Sequence, residues 1–292
     1  MTEIACVVEA HDALGEGCVW CPVTKQVWWL DIRKPCLQSY DPVSRDHRVY
    51  PLPGQHCGCV ALRKSGGFAL ALDDGLHGFD PASGKLQALV HAEPNEAGNR
   101  YNDGRCDRRG RLWIGTMDIA VRRSSGSLYR ISADRSVLRL FDGITVPNSI
   151  AFSPDDRTLY FADTPRHVIW AFDFNLYAGM IGERRVFADL TGRRSFPDGS
   201  CVDAEGFLWN AEYGGYRLTR YAPDGRIDRT IALPVTNPTC CCFGGEALDT
   251  LFVTSAWPAT LPQDNPAIPA MQGGLLALDV GVRGLPEAAF AG

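Results

Sequence analysis

Nowhere in these 292 residues is there an apolar run of membrane-spanning length, and the start, MTEIACVVEAHDALGEG, lacks the basic and apolar segments of an export signal. Positive charge is not in excess: 29 Lys and Arg stand against 34 Asp and Glu, a formal net charge of -5. Nucleic acid and membrane partners, which attract basic surfaces, are therefore not expected. The six histidines include no pair at metal-ligand spacing. A G-x-S-x-G nucleophile motif is missing, which argues against an acyl-enzyme serine hydrolase. FGGEALD and SGSL are glycine-rich, but neither opens a helix as a phosphate cradle must. No segment sustains apolar spacing of three and four across ten residues, so long helices are not expected.

What remains is an ordinary core-forming composition, 45% hydrophobic and 22% charged. A cytoplasmic location is expected, and in a reducing compartment the eleven cysteines read as small buried hydrophobes.

A short phrase recurs six times, opening at Glu16 (EGCVW), Cys57 (CGCVA), Asn102 (NDGRCD), Asn148 (NSIAF), Asp198 (DGSCVD) and Thr239 (TCCCF). A Gly- or Asp-rich turn follows each, then a second apolar run such as VWWLDI, RLWIGTM or FLWNAEY. The openings lie 41, 45, 46, 50 and 41 residues apart, a period that belongs to propeller blades. Third and fourth alternating runs complete most units. The expectation is one all-β domain over residues 1–292, a six-bladed β-propeller with four antiparallel strands per blade. The sixth unit supplies only three clear strands, so the N-terminal run from Ile4 to Glu9 is expected to complete it and close the ring. The longest irregular stretches, 118–125, 189–197 and 256–272, are candidate lids.

The first strand of each blade lines a propeller's channel, so the six leading residues form one ring at its mouth. Glu16, Asn148 and Asp198, with Asn102, put carboxylates and amides in that ring. Confined carboxylates repel unless a cation or proton compensates, and oxygen donors suit a hard or borderline divalent ion.

At these residues the sequence resembles the regucalcin (senescence marker protein) and gluconolactonase family. LGEGCVW, NRYNDGRCDRRGRLWIGTM, VPNSIAFSPDDRTLYFAD, FPDGSCVDAEGFLWNAEY and CCFGG carry the resemblance, from about Leu14 to Gly274. It implies a propeller that hydrolyses sugar lactones with one divalent ion in the channel. Metal ligands then fall on Glu16, Asn148 and Asp198, and substrate contacts on Arg100 and Asn102 with Asp103 beside them. Vertebrate members carry further acidic residues after the GTM motif, whereas GTMDIAVRR offers only Asp118 as a substrate contact. The hydroxyl-binding side is therefore expected to differ.

A mechanism follows from these parts. The cation polarises the lactone carbonyl and activates a water, Asp198 is the base that takes its proton, and Arg100 and Asn102 orient sugar hydroxyls. The ion stays open among Ca²⁺, Mn²⁺, Fe²⁺, Mg²⁺ and Zn²⁺, and the assembly between monomer and weak dimer. The alternatives are a non-catalytic calcium-binding scaffold, or a metal-dependent ester or phosphotriester hydrolase. Cys18 and Cys21 point to opposite strand faces and so do not read as a zinc pair. Cys57 is expected to face the mouth, and His56 to be a loop residue beside it.

Overall fold

The computed structural model describes residues 3–258 and 270–292. Alternating apolar and polar positions broken by D-G, S-G and P-D-D turns give short antiparallel strands, and these assemble into six four-stranded sheets arranged as the blades of a propeller. Blade 1 comprises Gly15–Cys21, Gln26–Asp31, Cys36–Tyr40 and His47–Pro51. The innermost strands of blades 2 to 6 are Cys57–Leu62, Asn99–Cys106, Pro147–Phe152, Phe196–Val202 and Asn237–Gly244. Among the described residues the only helical element is one 3₁₀ turn, Thr164–Arg166, and no helix is long and apolar enough to cross a membrane.

Blade 6 is built from both ends of the chain. Asn237–Gly244 pairs with Thr250–Ala256, which pairs with Leu275–Asp279, whose other edge takes Ile4–Val8. The expected closure is therefore present. Of the candidate lids, 118–125 and 189–197 are largely rim loops, while 259–269 of the third lie outside the described residues.

Burial falls from the axis outward. Every position of Cys57–Leu62 is buried, whereas the outer strand His47–Pro51 is almost wholly exposed. Among the described residues six apolar clusters hold the ring, each spanning two adjacent blades. Trp28 and Leu30 of blade 1 meet Val60 and Phe68 of blade 2, and Trp113 of blade 3 meets Ile150 and Phe161 of blade 4. At about 1.5–3 kcal/mol per fully buried large side chain, these interfaces dominate the stability of the ring. Trp113 and Trp209 occupy equivalent places, their indole N–H groups donating to Asp107 and Asp203 at 2.8 and 2.9 Å.

The C-terminal segment VRGLPEAAFAG packs against the ring. It crosses the end of the ring opposite the mouth: the Arg283 carbonyl accepts from the Ala204 N–H, Phe290 pairs with Leu62 and Lys64, and Ala291 donates to Gly110. Arg105, from the innermost strand of blade 3, reaches into this plug. It ion-pairs with Glu287 and donates to the carbonyls of Ile150 and Ser200 at 3.1 and 2.9 Å. One side chain thus ties three blades to the tail.

Candidate active site

All six innermost strands break register where the repeated phrase begins. The irregularities fall between Glu16 and Val19, Cys57 and Cys59, Tyr101 and Gly104, Asn148 and Ala151, Pro197 and Ser200, and Pro238 and Cys240. A bulge kinks a strand and re-aims its side chains. Gly17 and Ser149, which follow Glu16 and Asn148, take left-handed φ values of 62° and 58°. Glycine adopts that conformation freely, while serine does so at about 1–2 kcal/mol.

A chain of hydrogen bonds runs around half of the mouth. Arg100 donates through Nη1 to Asn102 Oδ1 at 2.8 Å and to the Tyr101 carbonyl at 2.9 Å. Asn102 passes its Nδ2 to Asn148 Oδ1 at 3.0 Å and to the Pro147 carbonyl at 2.9 Å. Asn148 in turn donates through Nδ2 to Thr164 Oγ1 at 2.8 Å, and Thr164 donates to the Pro197 carbonyl at 2.9 Å. Each amide is fixed in one orientation by this relay. The Asn148 oxygen accepts from Asn102 and keeps a second lone pair.

Glu16 and Asp198 face each other at hydrogen-bonding range. Burial first, then the charge of Asp103, push the Glu16 carboxyl up to about 8, against the Gly17 N–H, which donates to it at 3.0 Å. Asp198 is raised well above the usual carboxylate range by burial, then by Glu16 and Asp103. Asp198 is buried, while solvent still touches part of Glu16 and Arg100. Arg100 is drawn down to about 10, by burial and then by the charge of Arg33, and so stays cationic at neutral pH.

The structure brings Glu16, Arg100, Asn102, Asn148 and Asp198 together, and moves the other expected residues elsewhere. Asp103 lies beneath the pair: its Oδ2 accepts from the Ile150 N–H at 2.8 Å, and it lines a small cavity with Gly17, Arg105 and Glu287. Asp118 is engaged by its own loop, accepting from the Arg122 N–H and Arg123 Nη2, each at 2.8 Å. Among the described residues none of its hydrogen bonds is to the mouth group. Cys57 does not face the mouth, because its bulge turns the thiol into the apolar cluster between blades 1 and 2, where it is 0% exposed. Thr239 is fully buried and bonds the Gly15 carbonyl and Thr254, joining blade 6 to blade 1. His56 is on the rim, bonded to Asp73 at 2.9 Å.

Three supporting residues were not anticipated. Ser149 donates to the Asp198 carbonyl at 2.6 Å, Asn210 donates to the same carbonyl at 2.9 Å, and Thr164 orients Asn148. Only Asn210 left a signal, as a polar residue inside the apolar run FLWNAEY.

The donor set fits a hard divalent cation. Two carboxyls that repel in a desolvated mouth, and an amide oxygen held toward them, lack only a positive centre. Among the described residues no three His, Cys, Asp or Glu side chains converge closely enough to hold an ion by themselves.

With this geometry in place, likeness to known proteins becomes informative. Residues 14–257 match the model of the SMP-30/Gluconolactonase/LRE-like region. The chain is 35% identical to a 6-deoxy-6-sulfogluconolactonase of Pseudomonas putida, with 99% of each chain covered. It is 36% identical to an L-arabinolactonase of Azospirillum brasilense over 98% of this chain and 95% of that one. The crystal structure of a protein of Agrobacterium tumefaciens, described as the calcium-binding protein regucalcin, superposes with a TM-score of 0.92 at 34% identity, covering 97% of this chain and 96% of that one. A match running from the strand of Glu16 through those of Asn148 and Asp198 to blade 6, at this identity, leaves one conclusion: the chain belongs to the SMP-30/gluconolactonase/LRE-like family.

Proposed function

We propose that this chain is a metal-dependent lactonase that opens an aldonic acid lactone to the free aldonate, in a sugar oxidation pathway. The observation that carries the reading is the relay from Arg100 through Asn102 to Asn148, set opposite the Glu16 and Asp198 pair. It joins a polyol-binding guanidinium to a cation-binding oxygen. Named lactonases among the relatives support the reaction type.

Glu16, Asn148 and Asp198 would hold the ion, which when bound supplies polarisation of the lactone carbonyl and a lowered pKa for a water beside it. Asp198 accepts the proton of the attacking water as the water oxygen bonds to the carbonyl carbon. The ring C–O bond then breaks, and the proton held on Asp198 passes to the departing ring oxygen, so that atoms and charge balance. The Asp198 backbone is held by Ser149 and Asn210, which keeps the carboxyl aimed into the mouth. Arg100 has its Nε and Nη2 donors without protein partners among the described residues, and these orient the sugar hydroxyls. An apolar ester or phosphotriester would leave those donors desolvated and unmatched, which disfavours such substrates.

The test is hydrolysis of an aldonolactone panel at constant pH, with and without a chelator. Turnover that stops with chelator and returns with a divalent ion supports the reading. Chelator-insensitive turnover, or none on any lactone, overturns it.

A further inference from the structure

We infer that Asp31, Asp163 and Glu212 are positioning residues for the candidate metal site: each, from the second strand of its blade, holds the segment that delivers one of the three candidate ligands. This rests on the metal-dependent reading above and adds what keeps its three ligands in place.

The three acids occupy one place in the repeat. Each closes the second apolar run of its blade, in VWWLD, TLYFAD and LWNAE. Each also pairs across the ladder with the residue directly before a ligand: Asp31 with Gly15 before Glu16, Asp163 with Pro147 before Asn148, and Glu212 with Pro197 before Asp198. All three are buried. Their carboxyls reach back to the residue three places before the ligand. The Ala13 N–H donates to Asp31 Oδ2 at 2.8 Å, the Thr145 N–H to Asp163 Oδ1 at 3.1 Å, and the Ser195 hydroxyl to Glu212 Oε2 at 2.5 Å. In blades 1 and 4 the next N–H joins in, Leu14 donating to Asp31 Oδ1 at 3.1 Å and Val146 to Asp163 Oδ1 at 2.9 Å. The main chain repeats the pattern: the Ile32 N–H donates to the Leu14 carbonyl at 3.0 Å, and that of Thr164 to the Val146 carbonyl at 2.9 Å.

The ladder alone holds these ligands poorly. Each stands at or near the start of its strand with the bulge directly after it, so regular strand pairing is interrupted beside it. A carboxylate accepts several donors at once, and its hydrogen bonds are roughly twice as strong as neutral ones. It can therefore gather the groups of the entering turn. Each acid is also compensated within the protein. Asp31 takes the N–H groups of Arg33 and Lys34 at 3.0 and 3.2 Å, Asp163 takes Arg166 Nε at 2.9 Å, and Glu212 takes Arg193 Nη1 and Arg217 Nε at 2.9 and 2.8 Å. Asp163 acts twice, since the next residue, Thr164, accepts from Asn148 Nδ2 at 2.8 Å.

The other three blades separate positioning from folding. The same place holds Thr116 in blade 3, opposite Tyr101, and Ser255 in blade 6, opposite Pro238. Blade 2 keeps an acid there, Asp73, which accepts from the N–H groups of Gln55 and His56 at 2.5 and 3.1 Å. That blade delivers Cys57, whose thiol is buried away from the mouth. Asp73 thus repeats the clamp with no ligand behind it.

The experiment titrates the metal-stripped protein with Mn²⁺, Ca²⁺ and Zn²⁺ by calorimetry and carries the tightest ion to the variants, with a thermal melt in chelator beside each. Asp31→Ala and Asp163→Ala should weaken binding about tenfold or more, the usual weight of residues that hold metal ligands from behind. Ser195→Ala removes one donor from Glu212 and leaves Arg193, Arg217 and Thr219 on it. It should also weaken binding, at little cost in melting temperature. Asp31→Asn and Asp163→Asn keep an acceptor oxygen for the turn, so each should recover part of the affinity, and each serves where the Ala variant does not fold. Asp73→Ala should lower the melting temperature with affinity unchanged. Native affinity in the folded Asp31, Asp163 and Ser195 variants, or an equal fall in Asp73→Ala, overturns the assignment while leaving the metal site standing. A native protein that binds none of the three ions removes the metal reading, and the assignment with it.

Discussion

Ser149 donates its hydroxyl to the main-chain carbonyl of Asp198 at 2.6 Å while holding a left-handed φ of 58°. One candidate metal ligand, Asn148, is therefore locked to another, Asp198, through its own neighbour in the chain. The same hydroxyl accepts from Ser200 and Asn210 at 3.1 Å each, so the strained residue is the centre of a buried network.

Ser149→Gly separates strain from positioning. Glycine removes a conformational cost of about 1–2 kcal/mol, while loss of the buried hydrogen bond costs about 1–3 kcal/mol. The two roughly cancel, and the melting temperature is expected to move by only a few degrees. Metal affinity and kcat should both fall by about tenfold, because Asn148 and Asp198 are no longer held in register. Titration calorimetry with Mn²⁺ beside a thermal melt checks this, and a large loss of stability with unchanged metal affinity would contradict it.

Asp198→Asn keeps the shape of the side chain and removes one of two carboxyls that repel. In chelator at pH 8 the variant is expected to melt above the native protein, because a carboxyl whose ionisation is opposed by burial and by Glu16 is replaced with a neutral amide. Lactone hydrolysis should nonetheless drop by about 10²–10⁴-fold, the usual value of a positioned general base. A variant that is both active and less stable would remove Asp198 from its assigned role.

The pH dependence of the metal-free protein has a definite sign. Glu16 in the folded chain is raised to about 8, and Asp198 is raised as well, whereas both titrate in the ordinary carboxylate range when unfolded. Between about pH 4.5 and 8 the folded state therefore binds protons that the unfolded state has released. Stability falls as pH rises through that window and levels off with respect to Glu16 above it. Melts in chelator from pH 5 to 8 should show the decline, and a divalent ion should raise the midpoint more at pH 8 than at pH 5. A chelated midpoint that climbs over this range would refute the arrangement.

The sequence alone exposed the ring and the strands that carry Glu16, Asn102, Asn148 and Asp198, because a repeat period and an aligned column survive in linear order. Which member of the column turns inward could not be read there. Glu16 and Asn148 are aimed by bulges with Gly17 and Ser149 at left-handed φ, whereas the bulge at Cys57 buries its thiol. Nothing in the composition of CGCVA as against NSIAF announces that difference. Nor does GTMDIAVRR announce that Asp118 accepts from Arg122 and Arg123 of its own loop. The tail was missed because its pairing is with turns of blades distant in sequence, such as Asp203 with Gly284.

That tail supports the last expectation. Arg105 and Glu287 each keep 15% of their side-chain surface exposed, and Arg105 also holds blades 4 and 5 through Ile150 and Ser200. Replacing Arg105 with Ala leaves the Glu287 carboxylate without its cation, and two carbonyls without a donor, at the end of the channel. Removal of one partner from a largely buried pair costs about 3–5 kcal/mol. Glu287→Gln keeps a side chain of the same shape and forfeits only the charge, so its cost should be clearly smaller. Both changes act at the far end from Glu16, so Mn²⁺ affinity should be retained wherever the protein is folded. Denaturant unfolding of the two variants measures the ranking. If Glu287→Gln proved as damaging as Arg105→Ala, the ion pair itself would be the fastening, and the carbonyl contacts of Arg105 would be incidental.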